Sequence, residues 1–163
     1  MAGDVGPRSR FTVRFGDVDT AGIVYYPRIP HYFHVAMEEA FGRDLGLPYA
    51  QLINEQKRGL PAVRLEVDYR RPLAYGDEIE AEARILDLGR TSVTWRFRLY
   101  KSNGELAVEG RVVTVWMDLE RFGKEELPAE LRRKLEGLKV ERGSRAGVGP
   151  APPPARDRPR HQP

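Results

Sequence analysis

The chain contains no cysteine. That excludes disulfides, a thiolate nucleophile and any cysteine metal site at once, and it agrees with a reducing compartment. Long apolar runs are missing as well. No stretch approaches the roughly 18 residues that cross a bilayer as a helix. The polar segment 1–10 has no apolar signal-peptide core. Membrane insertion and export are therefore not expected, and a cytoplasmic location is. Histidine is scarce, with three in the chain. His31 and His34 stand three apart with Glu38 four further on, but helical zinc motifs set their histidines four apart and need a third ligand. No metal and no other cofactor is expected. Excess positive charge is missing from most of the chain too. The pI is ≈ 9.3, yet residues 1–138 hold 21 basic and 22 acidic side chains. The basic surplus lies in the last 25 residues, so no specific nucleic-acid partner is expected.

What is present reads as one domain of 163 residues. Residues 1–9 read as a loose leader. Residues 139–163, rich in Pro, Gly, Ala and Arg, cannot bury enough apolar surface to offset ordering and are expected to be a disordered tail. Between them, Phe11, Val13 and Phe15 alternate as in a half-buried strand. From Pro30 to Gly46, apolar residues recur at spacings of three and four, and Pro27 and Pro30 mark a helix start. The stripe is wide enough to predict a helix apolar on most of its circumference. A short helix is predicted over Pro48–Gln56. Alternating runs over Leu60–Arg71, Asp77–Leu88 and Thr91–Lys101 read as strands. So does Leu106–Met117, apolar on both faces from Val112 and hence expected to be the most buried. Asn103-Gly104 marks a hairpin, and leucines at 127, 131, 135 and 138 predict a last helix over Glu125–Leu138. A strand, a buried helix and then consecutive strands give an α+β fold, with one long central helix wrapped by a curved antiparallel sheet of about five strands. One sheet covers one side of such a helix, so a homodimer or homotetramer is expected.

The chemistry concentrates in Phe15-Gly16-Asp17-Val18-Asp19-Thr20-Ala21-Gly22-Ile23-Val24-Tyr25-Tyr26-Pro27. Two carboxylates stand two apart in a turn-like segment just before a helix. Free backbone N–H groups at a helix start polarise a carbonyl, while a carboxylate beside them attacks it or activates water. The plainer reading is that such an Asp caps a turn or the helix. Asp17 is read as the turn support, and Gly22 as allowing a backbone shape or a close approach to ligand. Trp95, Phe97 and Trp116 read as core.

This stretch resembles the signature of the 4-hydroxybenzoyl-CoA thioesterase family of hotdog-fold proteins, and it is similar to the acyl-CoA thioesterases of the bacterial Tol–Pal cluster. The order of elements agrees over about Arg10 to Leu119. The resemblance implies a hotdog fold, edge-to-edge dimers with active sites at the interface, and hydrolysis of an acyl-CoA thioester to free acid and CoA. It implies Asp19 as the catalytic carboxylate, nucleophile or general base, and the backbone N–H of Tyr26 as the carbonyl donor. Gly22, Ile23 and Val24 would meet substrate, and Arg90 and Ser92 would meet CoA phosphates. The chain departs from the Tol–Pal pattern in having Tyr26 where many relatives have histidine, and from the family in having Arg28 and Ile29 after the helix-starting Pro. A second thioesterase branch uses a glutamate on the long helix, for which Glu38 and Glu39 are the candidates. Hotdog lyases use a histidine near the helix start, where tyrosines stand here. A non-catalytic acyl-thioester binding protein and a thioesterase for acyl carrier protein are the alternatives.

Overall fold

Apolar residues at three- and four-residue spacing drive the long helix α1 (Arg28–Asp44), whose Ile29, Tyr32, Phe33, Ala36, Met37, Ala40 and Phe41 are buried. Burying each large side chain contributes about 1.5–3 kcal/mol. The structure, a computed structural model, describes residues 8–140. Of the expected leader over 1–9 and tail over 139–163, residues 1–7 and 141–163 lie outside the described residues. Helix α1 begins at Arg28 rather than Pro30 because Pro27 already has helical φ and ψ and the Arg28 N–H reaches the Tyr25 carbonyl at 2.8 Å. It ends where Gly46 takes φ +62° and the Leu47 N–H bonds back to the Phe41 carbonyl at 3.0 Å. His31, His34, Glu38, Glu39 and Arg43 are exposed. Within one chain the helix is therefore apolar on one broad side, not on most of its circumference.

The sheet holds β1 (Arg8–Thr12), β3 (Ala62–Tyr69), β4 (Glu78–Leu88), β5 (Ser92–Lys101) and β6 (Leu106–Val115) in the antiparallel order β1-β4-β5-β6-β3. The final long strand is next to the edge, and β5 is the centre. Asn103 and Gly104 close the β5–β6 hairpin, with Gly104 at φ +82° and the Asn103 side chain accepting the Glu105 N–H at 3.0 Å. The first strand is displaced from its expected span. Alternation put Phe15 on the core face, but β1 ends at Thr12 and Phe15 is 80% exposed in a 3₁₀ turn over Phe15–Asp17. Pairing closes at Val13, whose N–H reaches the Asp77 carbonyl at 2.9 Å and whose carbonyl accepts the Gly76 N–H at 3.0 Å. Arg8 and Ser9 pair with Glu82 and Ala81. Lys139 bridges to Ile85, and the Val140 N–H bonds to the Ile85 carbonyl at 3.0 Å.

Smaller elements close the ends. Helix α2 (Tyr49–Asn54) follows α1, and the short strands β2 (Arg58–Gly59), β7 (Met117–Asp118) and β8 (Gly123–Lys124) form a second sheet that no alternation predicts. Helix α3 (Ala129–Glu136) is shorter than its expected span. Residues 125–128 are not helical, with the Leu127 N–H on the Arg90 carbonyl at 3.0 Å. Among the described residues no helix is long and apolar enough to cross a membrane.

The core lies between α1 and the sheet. Phe33 stacks on Phe97 at 5.0 Å, and Trp95 is fully buried with its indole N–H on Thr114 Oγ1 at 3.1 Å. The opposite sheet face is closed by charge: Arg96 pairs with Glu82 at 3.1 Å, and Arg98 with Glu109.

Candidate active site

Asp19 opens a tight turn. Its carbonyl accepts the Gly22 N–H at 3.0 Å, and its Oδ1 accepts the Ala21 N–H at 2.8 Å. Aspartate suits this position because its carboxylate reaches a backbone amide two residues on. Gly22 completes the turn at φ +76°, where a side chain would be strained. The Asp19 N–H then reaches the Ile23 carbonyl at 2.9 Å. Turn capping therefore occupies one carboxylate oxygen. The other, Oδ2, has no hydrogen-bond partner among the described residues, and the side chain lines an open cleft of ≈ 410 Å³.

Asp17 faces the other way. Its Oδ2 accepts the Arg14 N–H at 2.9 Å, Arg28 Nε lies 3.6 Å from Oδ1, and its carbonyl accepts the Tyr25 N–H at 2.8 Å. Arg28 also donates to the Gly16 carbonyl at 3.0 Å. Both residues tie the turn to the start of α1. Tyr32 lies beside this network with a buried hydroxyl that has no hydrogen-bond partner among the described residues. Burial, reinforced by the nearby Asp17 carboxylate, pushes the Tyr32 phenol far above its ordinary pKa.

The start of α1 has few free donors. Pro27 and Pro30 carry no N–H. Arg28 N–H is taken by the Tyr25 carbonyl and Ile29 N–H by the Tyr26 carbonyl, at 2.8 and 3.2 Å. The Tyr26 N–H has no partner among the described residues. Tyr26 itself is 66% exposed and lines the same cleft as Asp19. Ile23, Val24 and Ile29 supply its apolar wall. Gly22 shapes the turn but does not line the cleft.

Across the cleft stand Tyr69, Arg70 and Arg71 from the end of β3 and the residues after it. Tyr69 donates its hydroxyl to the Tyr26 carbonyl at 3.1 Å. Arg71 pairs with Glu105 at 2.6 Å and Arg70 with Glu109 at 3.6 Å. The alternation of β3 puts Tyr69 on the apolar face, but no local signal links it to a residue 43 positions earlier.

Arg90 and Ser92 are not brought to this cleft within one chain. They sit at the far end of the 11-residue β4, roughly 35 Å from its start at about 3.3 Å per residue. Arg90 is exposed and ion-paired with Glu126 at 2.5 Å.

A second hollow, ≈ 630 Å³, opens between α1, α2 and the Ala62–Leu65 end of β3. Phe33, Met37, Tyr49 and Phe97 line it. His34 and Glu38, 2.9 Å apart, form its polar corner. Burial raises the Tyr49 pKa, opposed by the Leu60 N–H that its hydroxyl accepts at 3.0 Å. Among the described residues no cluster of three or more His, Asp or Glu forms a candidate metal site.

The sequence matches the thioesterase-like superfamily over residues 13–135. It is 31% identical over 127 residues to a 1,4-dihydroxy-2-naphthoyl-CoA hydrolase of Synechococcus elongatus (strain ATCC 33912 / PCC 7942 / FACHB-805), covering 76% of this chain and 90% of the relative. A solved gentisyl-coenzyme A thioesterase superposes with a TM-score of 0.71 at 28% identity, covering 77% of this chain and 99% of the other. A thioesterase-superfamily structure from Jannaschia sp. CCS1 superposes with a TM-score of 0.78 at 24% identity, covering 85% and 96%. With three quarters of its length inside the family match and its helix laid against an antiparallel five-stranded sheet, the chain belongs to the thioesterase-like superfamily and has the hotdog fold.

Proposed function

We propose that this protein is an acyl-CoA thioesterase in which Asp19 is the reacting carboxylate and the Tyr26 N–H is the donor to the thioester carbonyl. One observation carries the reading: an uncommitted oxygen of Asp19 and an unpaired N–H of Tyr26 belong to residues lining the same cleft at the start of α1. A thioester carbonyl lying between them would have its oxygen on Tyr26 N–H and its carbon open to attack. In one route Asp19 Oδ2 adds to the carbon, CoA leaves as thiolate, and water cleaves the resulting anhydride. In the other, Oδ2 takes a proton from the attacking water. Both end in free acid and CoA.

The remainder of the site is assigned to a second copy of the chain. Strand β3 is an edge strand, and its Val63, Leu65 and Tyr69 are 58%, 47% and 50% exposed. Antiparallel pairing of β3 with its copy would complete both edges. It would set the Tyr69 end of one subunit beside the Ala62 end of the other. The register Ala62–Thr114 and Val115–Ser92 puts Ser92 and Arg90 at that same end of the sheet. The partner subunit's Arg90 and Ser92 would then receive CoA phosphates, and its larger hollow the acyl group. Two of the relatives above, the 1,4-dihydroxy-2-naphthoyl-CoA hydrolase and the gentisyl-coenzyme A thioesterase, are named for aryl-CoA thioesters. An aromatic lining with a His34–Glu38 corner fits a hydroxylated aromatic acyl group, in agreement with the resemblance to 4-hydroxybenzoyl-CoA thioesterases.

The test is hydrolysis of a panel of aromatic and aliphatic acyl-CoA thioesters by native protein and by Asp19→Asn. Asparagine keeps an oxygen for the Ala21 N–H, so the turn survives. We expect an aryl-CoA to be turned over best and the substitution to lower kcat by about 10²–10⁴-fold. Equal turnover by the variant would remove Asp19 from the mechanism. Failure to hydrolyse any CoA thioester, with turnover of an acyl carrier protein thioester, would reassign the substrate.

A further inference from the structure

The Tyr26 amide is proposed as the carbonyl donor, and one bond holds its own peptide unit, from the Arg28 N–H to the Tyr25 carbonyl at 2.8 Å. The Tyr26 ring is exposed and touches Tyr25 edge-on at 5.4 Å. Its N–H makes no bond among the described residues. Pro27 restricts the backbone before it to extended conformations but leaves φ, the torsion next to the N–H, a range of about 80° there. The Tyr26 carbonyl, by contrast, is held from two sides. Ile29 N–H reaches it at 3.2 Å from the first turn of α1. Tyr69 hydroxyl reaches it at 3.1 Å from the end of the edge strand. The hydroxyl end of Tyr69 is partly desolvated there, and burial raises its pKa.

We propose that Tyr69 is the positioning residue of the site: by fixing the Tyr26 carbonyl it sets the orientation of the residue and aims the Tyr26 N–H into the cleft beside Asp19. The inference rests on the reading of Tyr26 as the donor. The segments flanking the helix start and the edge strand are also tied, by the Val24 N–H on the Leu73 carbonyl at 2.7 Å and the Ile23–Ala74 bridge, but those bonds do not reach Tyr26. The tether makes the donor part of the sheet, so the donor is in place before substrate arrives. Preorganisation of this kind is where an oxyanion donor gains its effect, since a donor that must be oriented at the moment of reaction has lost its advantage. Misplacement by about 1 Å costs up to about 10²-fold. Tyr69 also lies on the strand proposed to pair with a second copy, so subunit pairing and donor alignment act on the same side chain.

Tyr69→Phe removes the hydroxyl and keeps the ring. We expect kcat for the best thioester to fall about tenfold, with KM within about twofold of native and unchanged thermal stability. We also expect the backbone ¹⁵N order parameter of Tyr26 to fall, with those of α1 unchanged. An unchanged kcat in an active enzyme overturns the proposal. So does a rise in KM matching the loss of kcat, which would mark Tyr69 as a ground-state binding residue. If the native protein hydrolyses no thioester, the functional reading fails, and the Tyr26 order parameter alone decides: an unchanged value overturns the tether, a lowered one retains it.

Discussion

Asp19 and Tyr26 each divide their bonding between two atoms. Asp19 caps its turn with Oδ1 and leaves Oδ2 uncommitted beside the cleft, so the plain reading of an Asp in a turn leaves room for the chemical one. Tyr26 has an N–H without a partner among the described residues and a carbonyl bonded to Tyr69. Asp118 shows the purely structural counterpart. Its buried carboxylate accepts the N–H groups of Arg121 and Glu120 at 3.1 and 2.8 Å, with Arg58 at 3.3 Å. The Arg121 N–H bond, aided by the Glu120 N–H and the Arg58 charge, holds the Asp118 pKa below the ordinary carboxylate range. A folded pKa below the unfolded one means stability that is fully present above the unfolded value, about 3.9, and lost as pH falls through the folded one. Asp118→Asn should therefore be less stable than native at pH 7. The gap should close as chemical denaturation is repeated at successively lower pH below about 4.

At the scale of elements, the contact that seats α1 on the sheet depends on a missing side chain. Gly110 in β6 stands directly under Phe33, and a Cβ there would collide with the ring at 2.2 Å. Phe33 also stacks on Phe97, the cross-strand neighbour of Gly110, at 5.0 Å, so turning the ring aside gives up that stack. Gly110→Ala should destabilise the fold by about 1–3 kcal/mol through overpacking, read as a lower denaturation midpoint at unchanged m. Phe33 also lines the larger hollow. The same substitution should therefore raise KM for an aryl-CoA more than for a short aliphatic one. A glycine in a strand gives no hint of this in sequence. Its reason lies in a ring carried by a distant helix.

For the whole molecule, the unpaired edge of β3 is the feature with the largest consequence. The outer sheet face is closed by ion pairs between neighbouring strands, including Arg96–Glu82 and Arg98–Glu109, but β3 ends the ladder with apolar side chains exposed. If two copies pair there, Val63→Glu puts a carboxylate at each end of the paired strands while leaving the single chain nearly unaffected. Native protein should show twice its 18.6 kDa chain mass by light scattering. The variant should run as a folded monomer with kcat reduced at least about tenfold, because each site would lose the partner subunit's Arg90. A Val63→Glu protein that remains dimeric would move the interface elsewhere.

Alternation and helical spacing make the order of elements legible in the sequence itself. Period-two runs are half-buried strands, and a three-four stripe is a helix laid on them. The turn from Asp17 to Gly22 is legible for the same reason, since its bonds run between residues a few positions apart. The end of β1 is not, because the bonds that close it run from Val13 to Gly76 and Asp77, far along the chain. The small sheet of β2, β7 and β8 rests on two-residue strands, too short to show any period. Tyr69 enters the cleft only through folding, which carries the end of an edge strand to the start of a helix. Arg90 stands away from Asp19 for the same kind of reason: β4 is long enough to hold the two at opposite ends of the sheet. Local patterns come from local forces, whereas the partners of Tyr26, Gly110 and Thr12 are decided by chain reversals that no local pattern records.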